Sequence, residues 1–247
     1  MIVVFIVAPL AVVAASSFTA TGYVTFPPKG FSLEWYVKSA QDATFVDALW
    51  VSLRLGTLTT FISVVAGVLA AYGITYNNGR LGAFFEQIFL SPIMLPGVVL
   101  GLGILFVLSA SGWRGTFEGG VLAHVIVACP FVTRAVLAGL RQLDPRLEEA
   151  SRSLGAGPVH TFLRIVVPSV RGSIIGGAVF AFVISFDEAV VTLFLTGPTF
   201  STLPVTIFTY VQYSNDPTIA AVSTVIVVFC VILVGLVTRN PKGRHDR

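Results

Sequence analysis

The chain alternates long, nearly uncharged apolar stretches with shorter polar ones. A helix that crosses a bilayer needs about 20 apolar residues at a rise of about 1.5 Å each. Six runs fit that requirement, over residues 1–19, 48–75, 84–109, 119–138, 172–196 and 217–238. The last carries no charge between Asp216 and Arg239, the second holds only Arg54 and the third only Glu86. The fourth contains His124 and Pro130, and it reaches full length only by running past Arg134, a side chain that can snorkel to a membrane face. The pattern predicts an all-α membrane protein with six transmembrane helices in a single domain over 1–247. A polar segment, 139–171, stands apart as too long for a simple connector.

Composition narrows the class further. Of 247 residues, 55% are hydrophobic and 11% charged, and the mean hydropathy is +0.89. That leaves too few charges to cover a soluble surface, which excludes a soluble enzyme. Twenty Phe, six Tyr and three Trp exclude intrinsic disorder. Cys129 and Cys230 each lie inside an apolar run, so neither a disulfide framework nor a thiolate metal cluster can be drawn.

The net charge of +3 matters less than its placement. Lys and Arg number one in the 76–83 turn, six in 134–171 and four after 238, eleven in all; the alternating loops hold only Lys29, Lys38 and Arg114. This bias makes the richer side cytoplasmic and predicts that both termini lie there. The first run ends in small residues, Ala14, Ala15, Ser16 and Ser17, as a cleaved signal peptide would, but it lacks the basic start of one. It is read as a span that has lost a basic cytoplasmic lead, with the signal peptide as the second reading.

Residues 141–171 carry readable helix punctuation. Asp144 suits an N-cap, Pro145 the first helical position and Gly155 a left-handed C-cap, with Glu148 and Glu149 near the helix start and Arg152 near its end. Leu147, Ala150, Ser151 and Leu154 share one small, mostly apolar face that calls for a partner. Gly157-Pro158 then restarts the chain into a second helical stretch, which Pro168 interrupts.

Glu149, Ala150, Ser151, then Gly155, then Ile165, Val167 and Pro168 have the spacing of a motif in permease subunits of binding-protein-dependent ABC importers, and the chain resembles that family. Ser151 stands where the family has a second Ala, and Val167 where it has Leu. The resemblance implies the type I permease fold and makes 139–171 a coupling element, a short helix seated in a groove of a cytoplasmic ATPase subunit. Glu149 and Gly155 are its signature positions. It also implies a second homologous permease subunit, an ATPase homodimer and a periplasmic solute-binding protein as partners in a bacterial inner membrane. The chain itself has no P-loop, because Lys29, Lys38 and Lys242 follow Pro28, Val37 and Pro241 rather than glycine. ATP and magnesium therefore belong to the partner ATPase, and this chain is expected to hold no cofactor or metal and to bind no nucleic acid. His124, His160 and His245 are too scattered to suggest a metal set. A self-contained channel or secondary transporter is the rival class, weakened because the sequence shows no repeated half.

Over nearly the whole chain the resemblance is strongest to the C-type permease of the spermidine/putrescine group, carried by residues 26–36, 90–106 and the stretch from Ser185 with its acidic pair, Thr196-Gly197-Pro198 and Leu203-Pro204. Importers of 4-aminobutyrate, 2-aminoethylphosphonate or ferric iron look similar enough to stay open. Read from chemistry alone, Asp187 and Glu188 inside the fifth run each cost about 2.5 to 3.5 kcal/mol to insert as ions, so they face a cavity or a partner. They either line a path for a cationic solute or serve as an ion pair or an interfacial carboxylate. Pro92 and Pro96, with Gly97 and Gly101, concentrate irregularity in the third run, for a path or for close packing. Phe208, Tyr210 and Tyr213 fit a periplasmic gate or an aromatic belt.

Overall fold

The structure is a computed structural model that describes residues 2–77, 79–197 and 200–238, with side chains between 5 and 235. The basic tail after 238, and Pro198 of the Thr-Gly-Pro stretch, lie outside the described residues.

The first apolar run gives α1 (Ile2–Ser16), at 15 residues shorter than the expected 1–19 span. A short amphipathic helix follows, α2 (Glu34–Gln41), before the longest helix, α3 (Ala43–Tyr76). Asp42 opens α3 by accepting a hydrogen bond from Thr44 N at 2.9 Å. The run expected as one span over 84–109 is instead two helices, α4 (Arg80–Met94) and α5 (Gly97–Ala110), bent by 106°. Hydropathy registers apolar length and is blind to direction. Here Pro96 lacks an amide proton and Leu95 is extended, so the backbone ladder cannot continue. The fourth run forms α6 (Phe117–Leu140), two residues longer at each end than predicted.

The polar segment supplies α7 (Arg146–Ser153), α8 (Pro158–Thr161), a π-helical turn at Phe162–Val166 and α9 (Val167–Ser169), which turns by 73° into α10 (Arg171–Asp187). The π turn sits just ahead of Pro168, whose ring would clash with the carbonyl of an ordinary α turn. The expected span 172–196 is also broken. α10 ends at Asp187, and α11 (Val190–Leu195) continues after Glu188 and Ala189. Between the fifth and sixth runs lies α12 (Leu203–Tyr213), and α13 (Thr218–Thr238) matches the sixth run. By length and apolar composition, three helices among the described residues can each cross a membrane, α3, α6 and α13, and up to five spans result if each bent pair counts as one.

Helix α6 is the centre of the bundle. Ala128, Val132, Thr133 and Val136 are fully buried where it meets α3 and α10, and Ala123 is fully buried where it meets α5 and α11. Hydrocarbon offers little drive for apolar side chains to leave it, so helices associate where small residues let backbones approach. Helix α3 meets that need with Ser52, Gly56, Thr59, Ser63 and Gly67, all buried. A Cβ at Gly67 would lie 2.9 Å from Val132 Cβ, and one at Gly177 of α10 would lie 3.1 Å from Val132 Cα, so both glycines are required by three helices converging on one valine. The outward faces expose Phe61, Phe106, Val107, Val228, Val231 and Ile232, a surface suited to lipid tails rather than water.

Candidate functional site

In the segment 139–171 the predicted punctuation has a clear geometry. Asp144 Oδ1 accepts from Arg146 N at 3.0 Å, and Pro145 already has helical dihedrals, φ −57° and ψ −26°. Gly155 takes φ +83°. Its amide donates to Arg152 O at 2.9 Å while the Ala156 amide donates to Ser151 O at 3.1 Å, the paired bonds of a Schellman cap. Ser151 turns inward, where its hydroxyl meets that of Thr161 at 3.0 Å and ties α7 to α8. Leu147, Ala150 and Leu154, sequence neighbours on the same apolar face, stay exposed, Leu154 at 89%, and Val159 and Leu163 extend that uncovered surface.

The segment rests on the end of α3. Arg152 lies over the Tyr76 ring at 5.9 Å, and Tyr72 packs on Tyr76 and on Phe162 at centroid distances of 4.3 and 4.6 Å. Glu148 faces inward, and burial raises its carboxyl above the usual range, only partly offset by Arg152. The two are 3.8 Å apart, an ion pair too long for a hydrogen bond. Glu149 is exposed and its backbone carbonyl accepts from Ser153. Ile165 is half-buried and Pro168 exposed.

Near the other end of α10 the acidic pair divides. Glu188 Oε1 accepts from Val191 N at 2.9 Å, and the Glu188 carbonyl accepts from Thr192 Oγ1 at 2.6 Å, so this residue caps α11 and holds the break. Asp187 is exposed at the last position of α10 and has no hydrogen bond or ion pair among the described residues. The second break lies alongside. A Cβ at Gly97 would sit 3.5 Å from Val190 Cγ1, and one at Gly101 would sit 2.7 Å from Phe194 Cδ2 and 3.3 Å from Val191 Cα. Gly97 and Gly101 thus let α5 close onto α11, and Pro96 begins α5 beside the acidic break. Pro92 lies one turn earlier, inside α4. Two discontinuous helices whose breaks adjoin give a transporter the irregular backbone that can line a polar path. Glu86, by contrast, pairs with Arg141 at the end of α6 through both carboxylate oxygens, 2.8 and 2.7 Å from one guanidinium nitrogen.

The aromatic trio on α12 is not one cluster. Tyr210 and Tyr213 line a groove of about 690 Å³ with Asp47, Thr44 and Thr206, whereas Phe208 is exposed elsewhere. Tyr210 is held, its ring 5.2 Å from Phe45 and its hydroxyl donating to Asp216 at 3.0 Å; Tyr213 is 83% exposed. Asp216 also accepts from Lys38 at 2.6 Å and from Thr218 N at 3.2 Å, linking α2 to the start of α13. Burial pushes the Asp216 carboxyl upward, but the Lys38, Thr218 and Tyr210 hydrogen bonds outweigh it and hold the group below the ordinary range; the bond to Asp216 in turn raises Lys38.

A depressed carboxyl contributes its stabilisation above the unfolded value of about 3.9 and loses it as pH falls through the lower folded value. A raised ammonium contributes below about 10.4 and loses as pH rises through its higher folded value. The link therefore should hold between these limits. In a Trp50→Phe, Trp113→Phe background, fluorescence of the buried Trp35 should change on acidification below about pH 4, and Asp216→Asn should remove that transition. An identical acid transition in the variant would show that the link is not its cause.

The family described as binding-protein-dependent transport system inner membrane component matches residues 63–241. The chain belongs to this family. It is a multi-pass inner-membrane permease component of the ABC importer class, and α1, α2 and the first half of α3 precede the matched region. The permease is 30% identical over 231 residues to the putrescine transport system permease protein PotI of Escherichia coli (strain K12), covering 90% of this chain and 81% of that one. It is 28% identical over 240 residues to the spermidine/putrescine transport system permease protein PotC of Haemophilus influenzae (strain ATCC 51907 / DSM 11121 / KW20 / Rd), covering 96% and 92%. It is also 28% identical over 242 residues to the putative 2-aminoethylphosphonate transport system permease protein PhnV of Salmonella paratyphi A (strain ATCC 9150 / SARB42), covering 97% and 91%. Among solved structures, a bacterial ABC transporter involved in import of the acidic polysaccharide alginate superposes with TM-score 0.71 at 16% identity, over 98% of this chain and 93% of that one, which establishes the shared fold.

Several residues of these sites gave no separate signal in the permease sequence. Thr161, Tyr72, Tyr76 and Phe162 support the Gly155 turn from positions that pattern alone assigns to ordinary packing. His124 meets Ser185 and Thr192 across 61 and 68 residues.

Proposed function

We propose that this permease is half of the translocation path of an ATP-driven importer for a small organic cation, with a polyamine as the solute. The observation that carries the charge preference is Asp187, an exposed carboxylate with no hydrogen bond or ion pair among the described residues, at a helix break that adjoins a second break. A fixed negative charge that no protein cation among the described residues neutralises attracts a cation, and one such charge alone leaves it free to depart. The relatives named for putrescine and spermidine support the polyamine. The relative named for 2-aminoethylphosphonate keeps a zwitterion as the second reading.

In this proposal the chain spans the membrane six times with both termini cytoplasmic, and the exposed apolar surface of Leu147, Leu154, Val159 and Leu163 is covered by an ATPase subunit carrying ATP and magnesium. Glu149, Ala150, Ser151, Gly155, Ile165 and Pro168 form that coupling element. Asp187 lines the path, Glu188 and Pro96 shape its two breaks with Pro92 one turn ahead of the second, and Tyr210 and Tyr213 stand at the periplasmic gate, with Phe208 outside their groove. A second permease subunit, an ATPase homodimer and a periplasmic solute-binding protein complete the machine. Purification in mild detergent should recover an ATPase with this chain, and reconstituted vesicles with the binding protein should take up putrescine or spermidine in preference to 2-aminoethylphosphonate and 4-aminobutyrate. A lone functional oligomer, or preferred uptake of the zwitterions, would overturn the reading.

A further inference from the structure

His124 is a fully buried polar side chain in the middle of α6, and nothing assigned so far uses it. Its Nδ1 lies 2.9 Å from Ser185 Oγ and its Nε2 lies 2.8 Å from Thr192 Oγ1. These two hydroxyls belong to different helices, Ser185 to α10 before the acidic break and Thr192 to α11 after it. The single Thr192 hydroxyl proton is already spent on the Glu188 carbonyl, at 2.6 Å. Thr192 Oγ1 must therefore accept from the ring, which puts the imidazole proton on Nε2. An enclosed ring with no carboxylate among its partners is read as neutral, and its Nδ1 lies against Ser185. The result is one connected chain, from Ser185 through His124 and Thr192 to the Glu188 carbonyl, and it ends at the break itself.

The chain bridges the break. Its two hydroxyls stand on either side of Glu188, where φ −70° and ψ 97° leave the helical region. Removing either bond takes away one tie between α10 and α11. The residue at the end of α10 is Asp187, and α11 is pressed on its other side against Gly97 and Gly101 of α5.

We propose that His124 is the positioning residue of the acidic break: by gripping Ser185 and Thr192 at once it fixes the angle between α10 and α11 and so sets where the residue 187 side chain meets water. The proposal rests on the reading of Asp187 as part of the path, but the geometry of the break can be tested without any solute.

The test uses the reconstituted complex with Cys129→Ala, Cys230→Ser and Asp187→Cys, labelled by a charged, water-soluble maleimide. Thr192→Val keeps the shape of the side chain and removes the hydroxyl. It removes two bonds, the one with His124 and the one to the Glu188 carbonyl, and should shift the labelling rate at position 187 by at least about fivefold, the population change expected from losing one net hydrogen bond, whereas Ser185→Ala removes the His124 bond alone and should give about fivefold. Thr192→Ser should stay within about twofold of the parent, because it keeps the hydroxyl that both bonds need. In chains that retain Asp187, Thr192→Val should lower uptake and Thr192→Ser restore it. If Thr192→Val does not accumulate, Ser185→Ala removes the other bond and is read the same way. An unchanged labelling rate in the hydroxyl-deficient variants, or an equal shift in Thr192→Ser, overturns the proposal by reducing His124 to packing. Wild-type vesicles that carry no polyamine would defeat the solute reading alone, since the labelling result does not depend on it.

Discussion

Gly155→Pro should abolish solute-stimulated ATP hydrolysis and uptake in the reconstituted complex while leaving the chain in the membrane at its normal level. Gly155 sits at φ +83°, whereas proline fixes φ near −65°, so the chain cannot leave α7 in the same direction. Proline also lacks the amide that donates to Arg152 O at 2.9 Å, and the altered path pulls Thr161 from Ser151. The disruption is concentrated in a solvent-facing turn outside the packed interior of α3, α6 and α10. Gly155→Ala separates geometry from size. Nothing lies within 4 Å of an added Cβ, so alanine incurs only the left-handed backbone penalty of about 1 kcal/mol and should retain part of the stimulation. Stimulation undiminished in the proline variant would mean that this turn does not transmit force.

Asp187→Asn should lower polyamine uptake by at least about tenfold with no loss of membrane level. At an effective dielectric of about 20, a unit charge pair about 4 Å apart is worth about 4 kcal/mol, or nearly a thousandfold, and retained hydration of an exposed site brings the expectation down from there. The substitution is close to isosteric, and Asp187 has no structural partner among the described residues to lose. Glu188→Gln should reduce uptake less, because the amide oxygen can still accept from Val191 N and preserve the cap. Uptake assays at matched protein level, run with putrescine and with 4-aminobutyrate, distinguish the cases. Normal putrescine uptake by Asp187→Asn would remove this carboxylate from the path.

The two predictions differ in how far the sequence alone could have supported them. Asp144, Pro145 and Gly155 set the limits of α7 through local chemistry: a side-chain acceptor, a preset φ and a position open to positive φ. Each acts within a few residues, so the punctuation could be read without knowing what surrounds it. The same holds for α3, α6 and α13, where continuous apolar length sets the element because an unsatisfied backbone in lipid is too costly to allow another solution.

What lay beyond the sequence was direction and pairing. The runs 84–109 and 172–196 are apolar throughout most of their length, yet each bends or breaks, at Leu95-Pro96 and at Glu188. Proline in the first run marked irregularity without fixing an angle of 106°. The second run has no proline or glycine at its break; there the Glu188 side chain takes the Val191 amide, and Thr192 and His124 hold the displaced turn. A helical reading points Asp187 and Glu188 about 100° apart and favours Asp187 for the path, but it holds no sign that the Glu188 carboxylate is taken by the Val191 amide, a contact that exists only where the helix has broken. Apolar length and local capping were determined by the sequence because they depend on near neighbours, whereas the broken helices and the division of the acidic pair were decided by contacts among α5, α6, α10 and α11, whose energies depend on groups many residues apart.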